Sequence, residues 1–348
     1  MPFTAQELAN TANAALDYYM DQGKVFSQTI QNKPLLSEMR KREKTVPGGK
    51  ENLSVAVKGV YTTGIQGFEH DDSVTYGNPA NIKRANYPWK LIHAGIKITH
   101  HELLKDGISV VDSTSGDRTS RHSQREKTAL ANMLDDKMED MSEGTDRDMN
   151  LMYWQDGSQD SKEVPGVTSI IVDAPTASLV VGGLDQSANS WWRNRANLTI
   201  NISGGVATQP VVNFFQKEAR QLNRYAPMGT LWLAGSDMMD QIERELRANG
   251  SYSDSGWANK GTLDFGMDDI AFKGKKVTYD PTLDDLSYTK RLYVIDTKSI
   301  HPMVVEGENM KKHSPARPED KYVMYQALTW VGGLVCKRRN TSGVYAFA

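Results

Sequence analysis

Two strand-like runs near the N-terminal end of the chain decide its fold: LSVAVKGVY (Leu53–Tyr61) and WKLIHAGIKIT (Trp89–Thr99). Apolar residues alternate along both runs, which predicts two paired strands. The segment between them, Thr62–Pro88, is rich in Gly, Asn, Asp and Pro and is far longer than the roughly 2 to 5 residues of an ordinary hairpin loop. The sequence therefore predicts a long hairpin that extends away from the rest of the chain.

A two-stranded excursion of this kind is at best marginally stable on its own in water, so it needs a surface to lie on. Two surfaces are open to it. The loop can reach over a neighbouring subunit, or it can act as a lid over a site of its own chain. We favour the reach between subunits.

Composition excludes several classes of protein. The chain has 348 residues, is 39% hydrophobic and 24% charged, and carries a formal net charge of −2. These values are typical of a globular protein with two lobes, or with one lobe and a large excursion, and they argue against a protein whose main task is to neutralise phosphates. The single cysteine, Cys336, cannot form a disulfide within the chain. No window resembles a signal peptide or approaches the roughly 18 apolar residues of a membrane span.

The N-terminal region predicts a helix followed by an arm. Thr4-x-x-Glu7 is a capping box, and apolar residues then recur at helical spacing until Gly23. The stretch Lys33–Lys44 is polar and basic, and we interpret it as a connector. Its charged run from Arg40 to Lys44 either is solvated or touches nucleic acid or an acidic neighbour.

A long helix is predicted over Arg121–Tyr153, with Gly144 as the point where it would bend or break. Its apolar stripe consists of Leu130, Leu134, Met138 and Met141, and its acidic faces are expected to be solvated.

The second half of the chain mixes strands and helices without regular alternation, which predicts an α+β fold. The predicted helices are Pro210–Tyr225 and Asp237–Ala248. β-Branched content favours strands at Thr168–Val172, Ser178–Val181, Leu198–Ile202, Thr230–Ala234 and in several later runs, including RLYVID (Arg291–Asp296) and the apolar C-terminal stretch Tyr322–Phe347.

No group of residues forms a recognisable catalytic or metal-binding motif. His100 and His101 are adjacent, with His93 nearby, whereas a zinc helix requires two histidines four residues apart. We interpret them as polar residues at a junction between a strand and a helix. Ser287-x-x-Lys290 lacks the partner motifs of serine acyltransferases, and Cys336 lies in an apolar strand typical of a core. We therefore predict a protein that is not an enzyme, with no catalytic, cofactor-binding or metal-binding residues and no cofactor.

The stretch NSWWRNRAN (Asn189–Asn197) places two tryptophans beside two arginines. Such a group suits either an ordinary pair of core tryptophans or an interface cluster with stacking and cation–π contacts.

The order of these segments resembles the major capsid proteins of tailed bacteriophages, which share the Hong Kong phage shell fold. The N-terminal helix and arm, the long hairpin, the long helix, the WWRN turn, the LYVIDT strand and the ending WVGGLVCKRRNTSGVYAF are similar to the family's N-arm, extended loop, spine helix and lobes. The resemblance implies this division of the chain: an N-terminal helix and arm (1–50), an extended hairpin loop (51–105), a peripheral domain with the spine helix (106–204), an axial domain (205–317) and C-terminal strands returning to the junction of the two domains (318–348).

The resemblance further implies a structural subunit that assembles as pentamers and hexamers into an icosahedral shell around double-stranded DNA. Its partners would be other copies of the chain, a scaffolding protein, a portal, in some cases a decoration protein, and packaged DNA contacted non-specifically, with no membrane. It would be found in the virion and assembled in the host cytoplasm. Because the arm begins at Met1, we expect a separate scaffolding protein and no maturation cleavage.

Some relatives join their subunits by an isopeptide bond between Lys and Asn. Lys58, Lys83 and Lys90 lie in or beside the loop, but no motif marks a partner, so we predict no covalent crosslink. Two alternatives stay open. A bacterial nanocompartment shell would use the same fold, and a metal-dependent hydrolase would use the loop as a lid over His93, His100 and His101.

Overall fold

The computed structural model describes residues 3–4, 31–49, 51–60, 64–76, 82–105, 110–111, 124–225, 231–248, 270–313 and 323–348. The helices are α1 (Pro34–Arg42), α2 (His100–Lys105), α3 (Gln124–Trp154), α4 (Val167–Ile170), α5 (Pro210–Leu222), α6 (Ser236–Ala248) and α7 (Pro281–Asp285). The strands are β1 (Phe3–Thr4), β2 (Lys44–Val46), β3 (Asn52–Lys58), β4 (Ile82–Pro88), β5 (Lys90–Thr99), β6 (Val110–Val111), β7 (Val180–Val181), β8 (Leu184–Asp185), β9 (Arg195–Ile200), β10 (Leu231–Ala234), β11 (Ile270–Phe272), β12 (Lys275–Tyr279), β13 (Arg291–Ile295), β14 (Ile300–Val305), β15 (Lys311–His313), β16 (Val323–Cys336) and β17 (Gly343–Phe347).

The chain divides into two compact units. One comprises Met1–Gln31, Leu91–Met149 and Val305–Val331, and the other comprises Asn32–Lys90, Asn150–Val304 and Gly332–Ala348. The mixture of helices and sheets without a regular βαβ order confirms the predicted α+β class. Among the described residues, no helix is both long and apolar enough to cross a membrane.

A mixed six-stranded sheet forms the centre of the second unit, in the order β11-β12-β10-β13-β17-β9. Helices α5 and α6 cover it with the apolar stripes that their sequences predict. Phe215 on α5 lies at the middle of this core, with its ring centroid 5.6 Å from Trp232 and 5.4 Å from Tyr345. The predicted LYVID strand is confirmed as β13, where four successive residues are buried.

A buried carboxylate caps the first turn of α5. Gln209, the residue before this helix, has a left-handed φ of 48° and makes no side-chain cap. Glu245 of α6 replaces it: its carboxylate accepts hydrogen bonds from the backbone N–H groups of Val211 and Val212 at 3.0–3.2 Å. A carboxylate at this place also complements the positive end of the helix dipole, so the two helices are joined by charge as well as by packing.

The long hairpin has a different second strand from the predicted one. Strand β3 pairs with β4, in a register that sets Leu53 opposite Tyr87 and Lys58 opposite Ile82, whereas β5 pairs with β16. The prediction that Trp89–Thr99 closes the hairpin is therefore wrong. The sequence of strand β4 resembles a polar loop, because only Ala85 and Tyr87 of its residues are buried. These two residues are two positions apart and so lie on one face of the strand, as expected of a half-buried strand.

Two further predictions from sequence are wrong. The connector Lys33–Lys44 contains helix α1, whose Leu35, Leu36 and Met39 are fully buried although charged residues surround them in sequence. The strand predicted at Thr168–Val172 is instead the short helix α4, because Val167 and Ile170 are three residues apart and both are buried. In both cases burial in the folded chain overrides local preference.

The long helix is confirmed, with shifted ends. Helix α3 has 31 residues and continues through Gly144, which gives it a length of about 46 Å at 1.5 Å per residue. In the first unit, Met138 and Met141 pack on Leu328 of β16 and on Ala94 and Ile96 of β5. The side chains of Leu130 and Leu134, and the predicted N-terminal helix after Thr4, lie outside the described residues.

Candidate assembly surface

The base of the hairpin is held firmly by the second unit. The face of β3 and β4 that carries Leu53, Val55, Val57, Ala85 and Tyr87 is buried. The backbone N–H of Asn86 donates to the Gly182 carbonyl at 2.9 Å, and the Tyr87 hydroxyl donates to the Cys336 carbonyl at 3.2 Å. The hairpin therefore leaves the body of the unit in a defined direction.

The loop beyond this base is exposed and carries apolar side chains. Ile65 is fully exposed, Phe68 is 69% exposed and Tyr76 is 91% exposed. Exposing large apolar side chains to water is unfavourable, so this loop is a candidate surface for binding another molecule. The described part of the loop, 64–76, has no helix or strand.

The two tryptophans of the NSWWRNRAN stretch have different roles. Trp192 is 1% exposed and its indole N–H donates to the Val181 carbonyl at 3.0 Å, as expected of a core tryptophan. Trp191 is only half-buried and its ring lies against Gly59, where a Cβ atom would come within 2.0 Å of it. Glycine is thus required at position 59 for the hairpin to approach the tryptophan turn.

A buried arginine ties this turn to the C-terminal strands. Arg339, 1% exposed, donates hydrogen bonds from its guanidinium group to four acceptors. They are the carbonyl oxygens of Ile170 and Trp192, both at 2.8 Å, and the side-chain oxygens of Asn194 at 3.0 Å and Gln186 at 3.2 Å. Burial lowers the pKa of Arg339 to about 10, so the group remains charged at neutral pH.

The histidine cluster lies where a strand meets a helix, as predicted. Strand β5, which carries His93, ends at Thr99, and His100 and His101 begin α2. Thr99 and Glu102 form a capping box: the Glu102 N–H donates to the Thr99 hydroxyl at 3.3 Å, and the Thr99 N–H donates to the Glu102 carboxylate at 2.9 Å. These bonds, with one from Lys137, hold the pKa of Glu102 at about 2. In the part of the chain that the structure describes, no group of three or more His, Cys, Asp or Glu residues could hold a metal ion.

The other residues singled out by sequence lie apart from one another. Ser287 lies in the turn after α7 with a left-handed φ of 62°, and the Lys290 ammonium lies 5.3 Å from the Phe347 ring centroid. Cys336 is fully buried in β16, and burial raises the pKa of its thiol to about 12. Lys83 donates to the side-chain oxygen of Asn189 at 2.6 Å, and Lys90 donates to the Ser161 carbonyl.

Strand β14 carries a buried histidine that no local sequence pattern signals. His301 is 1% exposed and neither ring nitrogen has a hydrogen-bond partner. Burial, reinforced by the charges of Lys44 and Lys337, lowers its pKa to about 4. Its neutral form is therefore the one that fits the fold.

We predict that His301 makes the chain sensitive to mild acid. Between pH 6.5 and about 4 the unfolded chain binds a proton at this position and the folded chain does not, so stability falls as the pH falls through this window. Replacing His301→Leu should reduce the loss of unfolding free energy between pH 7 and pH 4.5 by about 2 kcal/mol, measured by urea denaturation. A matched change at the exposed His101, to Gln, should leave the loss as in the wild type. An equal loss in wild type and His301→Leu would contradict this assignment.

Comparison with known proteins identifies the fold. No family model and no curated protein matches the sequence. Among solved structures, the capsid asymmetric unit of cyanophage A-1(L) matches with a TM-score of 0.62 at 12% identity, covering 93% of this chain and 94% of that one. The chain has the phage capsid fold.

Other structures with the phage capsid fold match over a similar extent. The capsid of cyanophage P-SCSP1u has a TM-score of 0.55 at 10% identity, covering 94% of this chain and 91% of that one. The mature capsid of bacteriophage PhiM1 has a TM-score of 0.52 at 10% identity, with coverage of 94% and 90%. The match therefore spans nearly the whole chain although about nine in ten residues differ.

Proposed function

We propose that the chain is the major capsid protein of a tailed bacteriophage. The observation that carries the proposal is the phage capsid fold over 93% of the chain, which includes an exposed hairpin loop with apolar side chains. In this function the protein is structural and not an enzyme: copies assemble as pentamers and hexamers into an icosahedral shell that encloses double-stranded DNA. Rings arise when one patch of a subunit binds a different patch of the next and the rotation closes.

The domain division expected from sequence is part of the proposal. The N-terminal helix and arm would be 1–50, the extended loop 51–105, the peripheral domain 106–204, the axial domain 205–317 and the C-terminal strands 318–348. Most residues of the buried core between α5, α6 and the six-stranded sheet lie within 205–317, which supports an axial lobe, and strands β9 and β17 complete its sheet. The partners would be a scaffolding protein, a portal and in some particles a decoration protein, with assembly in the host cytoplasm and the product in the virion.

The phage shell is favoured over a bacterial nanocompartment because the solved structures described above are capsids of phages. Electron microscopy and sedimentation of the protein, expressed with the scaffolding protein of its own genome, test the proposal. We expect closed icosahedral particles. A protein that stays monomeric in the presence of its scaffold, and binds a metal ion in stoichiometric amount, would support the hydrolase alternative instead.

We also predict that the particles contain no covalent bonds between subunits. Lys83 and Lys90 are already hydrogen-bonded to Asn189 and Ser161 of their own chain. Denaturing electrophoresis of purified particles should show one band at the mass of the single chain, 38.8 kDa. A ladder of multiples of that mass would show that subunits are linked.

A further inference from the structure

A wide basic cleft opens on the surface of the second unit. Its volume is about 1170 Å³, and its walls come from the end of β3, the tryptophan turn and the turns that follow β13 and β16. Among the described residues that line it, nine are Lys or Arg and one, Asp296, carries a carboxylate.

Several of the nine basic groups also have partners within the fold. Arg339 has its four acceptors, Arg195 forms an ion pair with Glu218, and Arg193 donates to the carbonyls of Gln186 and Ser187. The carboxylate of Asp296 is also engaged, since it accepts hydrogen bonds from the hydroxyls of Ser299 at 2.7 Å and Thr341 at 2.9 Å.

The described lining thus holds nine basic groups and one carboxylate, which gives the cleft a positive field. The six basic residues besides Arg193, Arg195 and Arg339 are Lys58, Arg224, Lys275, Lys298, Lys337 and Arg338. All of these except Lys275, which is partly buried, are exposed to solvent. A concave surface lined by charges of one sign concentrates the field inside it, so the cleft favours an inserted anionic group.

The exposed hairpin loop carries a group of that kind. Glu69, Asp71 and Asp72 follow one another around a turn, and no Lys or Arg occurs from Gly64 to Tyr76. The turn is closed on itself, because the Asp72 N–H donates to the Glu69 carbonyl at 3.1 Å and the Glu69 N–H donates to the Asp72 carboxylate at 2.9 Å. Phe68, just before the turn, adds an exposed aromatic ring that Trp191 or Tyr225 of a cleft can pack against.

We propose that the basic cleft of one copy of the chain receives the acidic turn Glu69–Asp72 of a second copy. The proposal rests on the shell function above and names the surface that the loop reaches. A second copy is favoured over the chain's own loop because residues 64–76 are exposed in the single chain. A second copy is favoured over nucleic acid because the chain itself supplies an acidic turn that matches the cleft, with an apolar residue beside it. The chain as a whole also has a net charge of −2, which does not favour binding to phosphates.

Crosslinking between differently tagged copies tests this contact. One copy carries Asp71→Cys and the other carries Lys298→Cys; the natural Cys336 is buried and does not compete. After mild oxidation of the purified assembly, we expect a disulfide-linked species that contains both tags. Links only between copies that carry the same tag, or no link at all, would overturn the proposal, whether or not particles form.

Charge reversal supplies a second, independent test. Glu69→Lys with Asp71→Lys, or Lys298→Glu with Lys337→Glu, should each lower the yield of particles about tenfold, and the combination of all four should recover most of it. Asp72 is left in place because it closes the turn. The control, Lys162→Glu with Lys217→Glu, makes the same change of charge at exposed lysines outside the cleft and should have no effect.

The outcomes separate this proposal from the shell function. Wild-type particles with no crosslink and no rescue would keep the shell function and overturn the docking. A crosslink in rings that never close into shells would support the docking and overturn the shell function. A normal particle yield with reduced nucleic-acid content in Lys298→Glu/Lys337→Glu would assign the cleft to nucleic acid, which also overturns the docking.

Discussion

Replacing Arg339→Met is expected to lower the free energy of unfolding by about 3 kcal/mol, the largest effect on stability of any single change considered. The guanidinium group donates to four acceptors, and methionine, which fills a similar volume, can donate to none of them. The carbonyls of Ile170 and Trp192 would remain buried without a partner. Removing the buried charge offsets part of this loss, since Arg339 has no carboxylate partner among its hydrogen bonds.

Urea denaturation of the purified chain measures this effect. Arg338→Met is the matched control, because its guanidinium is exposed and makes one long hydrogen bond, 3.2 Å, to the Tyr225 carbonyl. We expect the control to change stability by no more than about 0.5 kcal/mol. Arg339→Lys should be nearly as harmful as Arg339→Met, because an ammonium group cannot reproduce the planar fork of donors. Equal stability of the 338 and 339 variants would contradict the role assigned to Arg339.

Removal of the exposed loop should abolish assembly and leave the subunit folded. Replacing residues 64–76 by Gly-Ser-Gly takes away the apolar side chains Ile65, Phe68 and Tyr76 and shortens the reach of the hairpin, while the buried face of β3 and β4 stays intact. We expect an unfolding free energy within about 1 kcal/mol of the wild type, because shortening a loop changes its closure entropy only slightly. Particle yield should fall by more than about tenfold, since the contact that holds a neighbour is lost.

A second variant separates the length of the loop from its side chains. Filling 64–76 with a Gly/Ser sequence of the same length keeps the reach but removes every side-chain contact, and it should assemble as poorly as the shortened loop. Light scattering and electron microscopy measure the yield, and circular dichroism reports whether the subunit is folded. Normal particles from either variant would show that the loop is not an assembly element.

Much of the fold could be predicted from sequence because it is encoded by local patterns. The helical period predicts α3, α5 and α6 to within a few residues, and β-branched runs predict β10 and β13. Strand β4 and helix α1 have weak sequence patterns. Strand β4 buries only Ala85 and Tyr87, and the three buried residues of α1 are surrounded by charged ones in sequence. Local patterns also do not identify the partner of a strand, so they favour β5 in the hairpin although it pairs with β16.

The residues that support the assembly surface could not be predicted, because their contacts span long distances in sequence. Arg339 joins acceptors that lie 145 to 169 residues away, so no local spacing signals its burial. The burial of His301 could not be predicted either. Its ring nitrogens have no hydrogen-bond partner because of the residues that pack over β14, and the sequence of β14 itself does not indicate this. The adjacent arginines 338 and 339 look alike in sequence, yet one is exposed and the other is buried.

An electron cryo-microscopy reconstruction of particles formed with the scaffolding protein would show directly whether the chain builds a shell through its loop. We predict an icosahedral map built from pentamers and hexamers, in which the loop 64–76 of each subunit lies on its neighbour with Glu69 and Asp71 beside Lys298 and Lys337. A protein that forms no closed particle with its scaffold would contradict the shell function, and particles in which every loop contacts only its own subunit would contradict the docking of the loop.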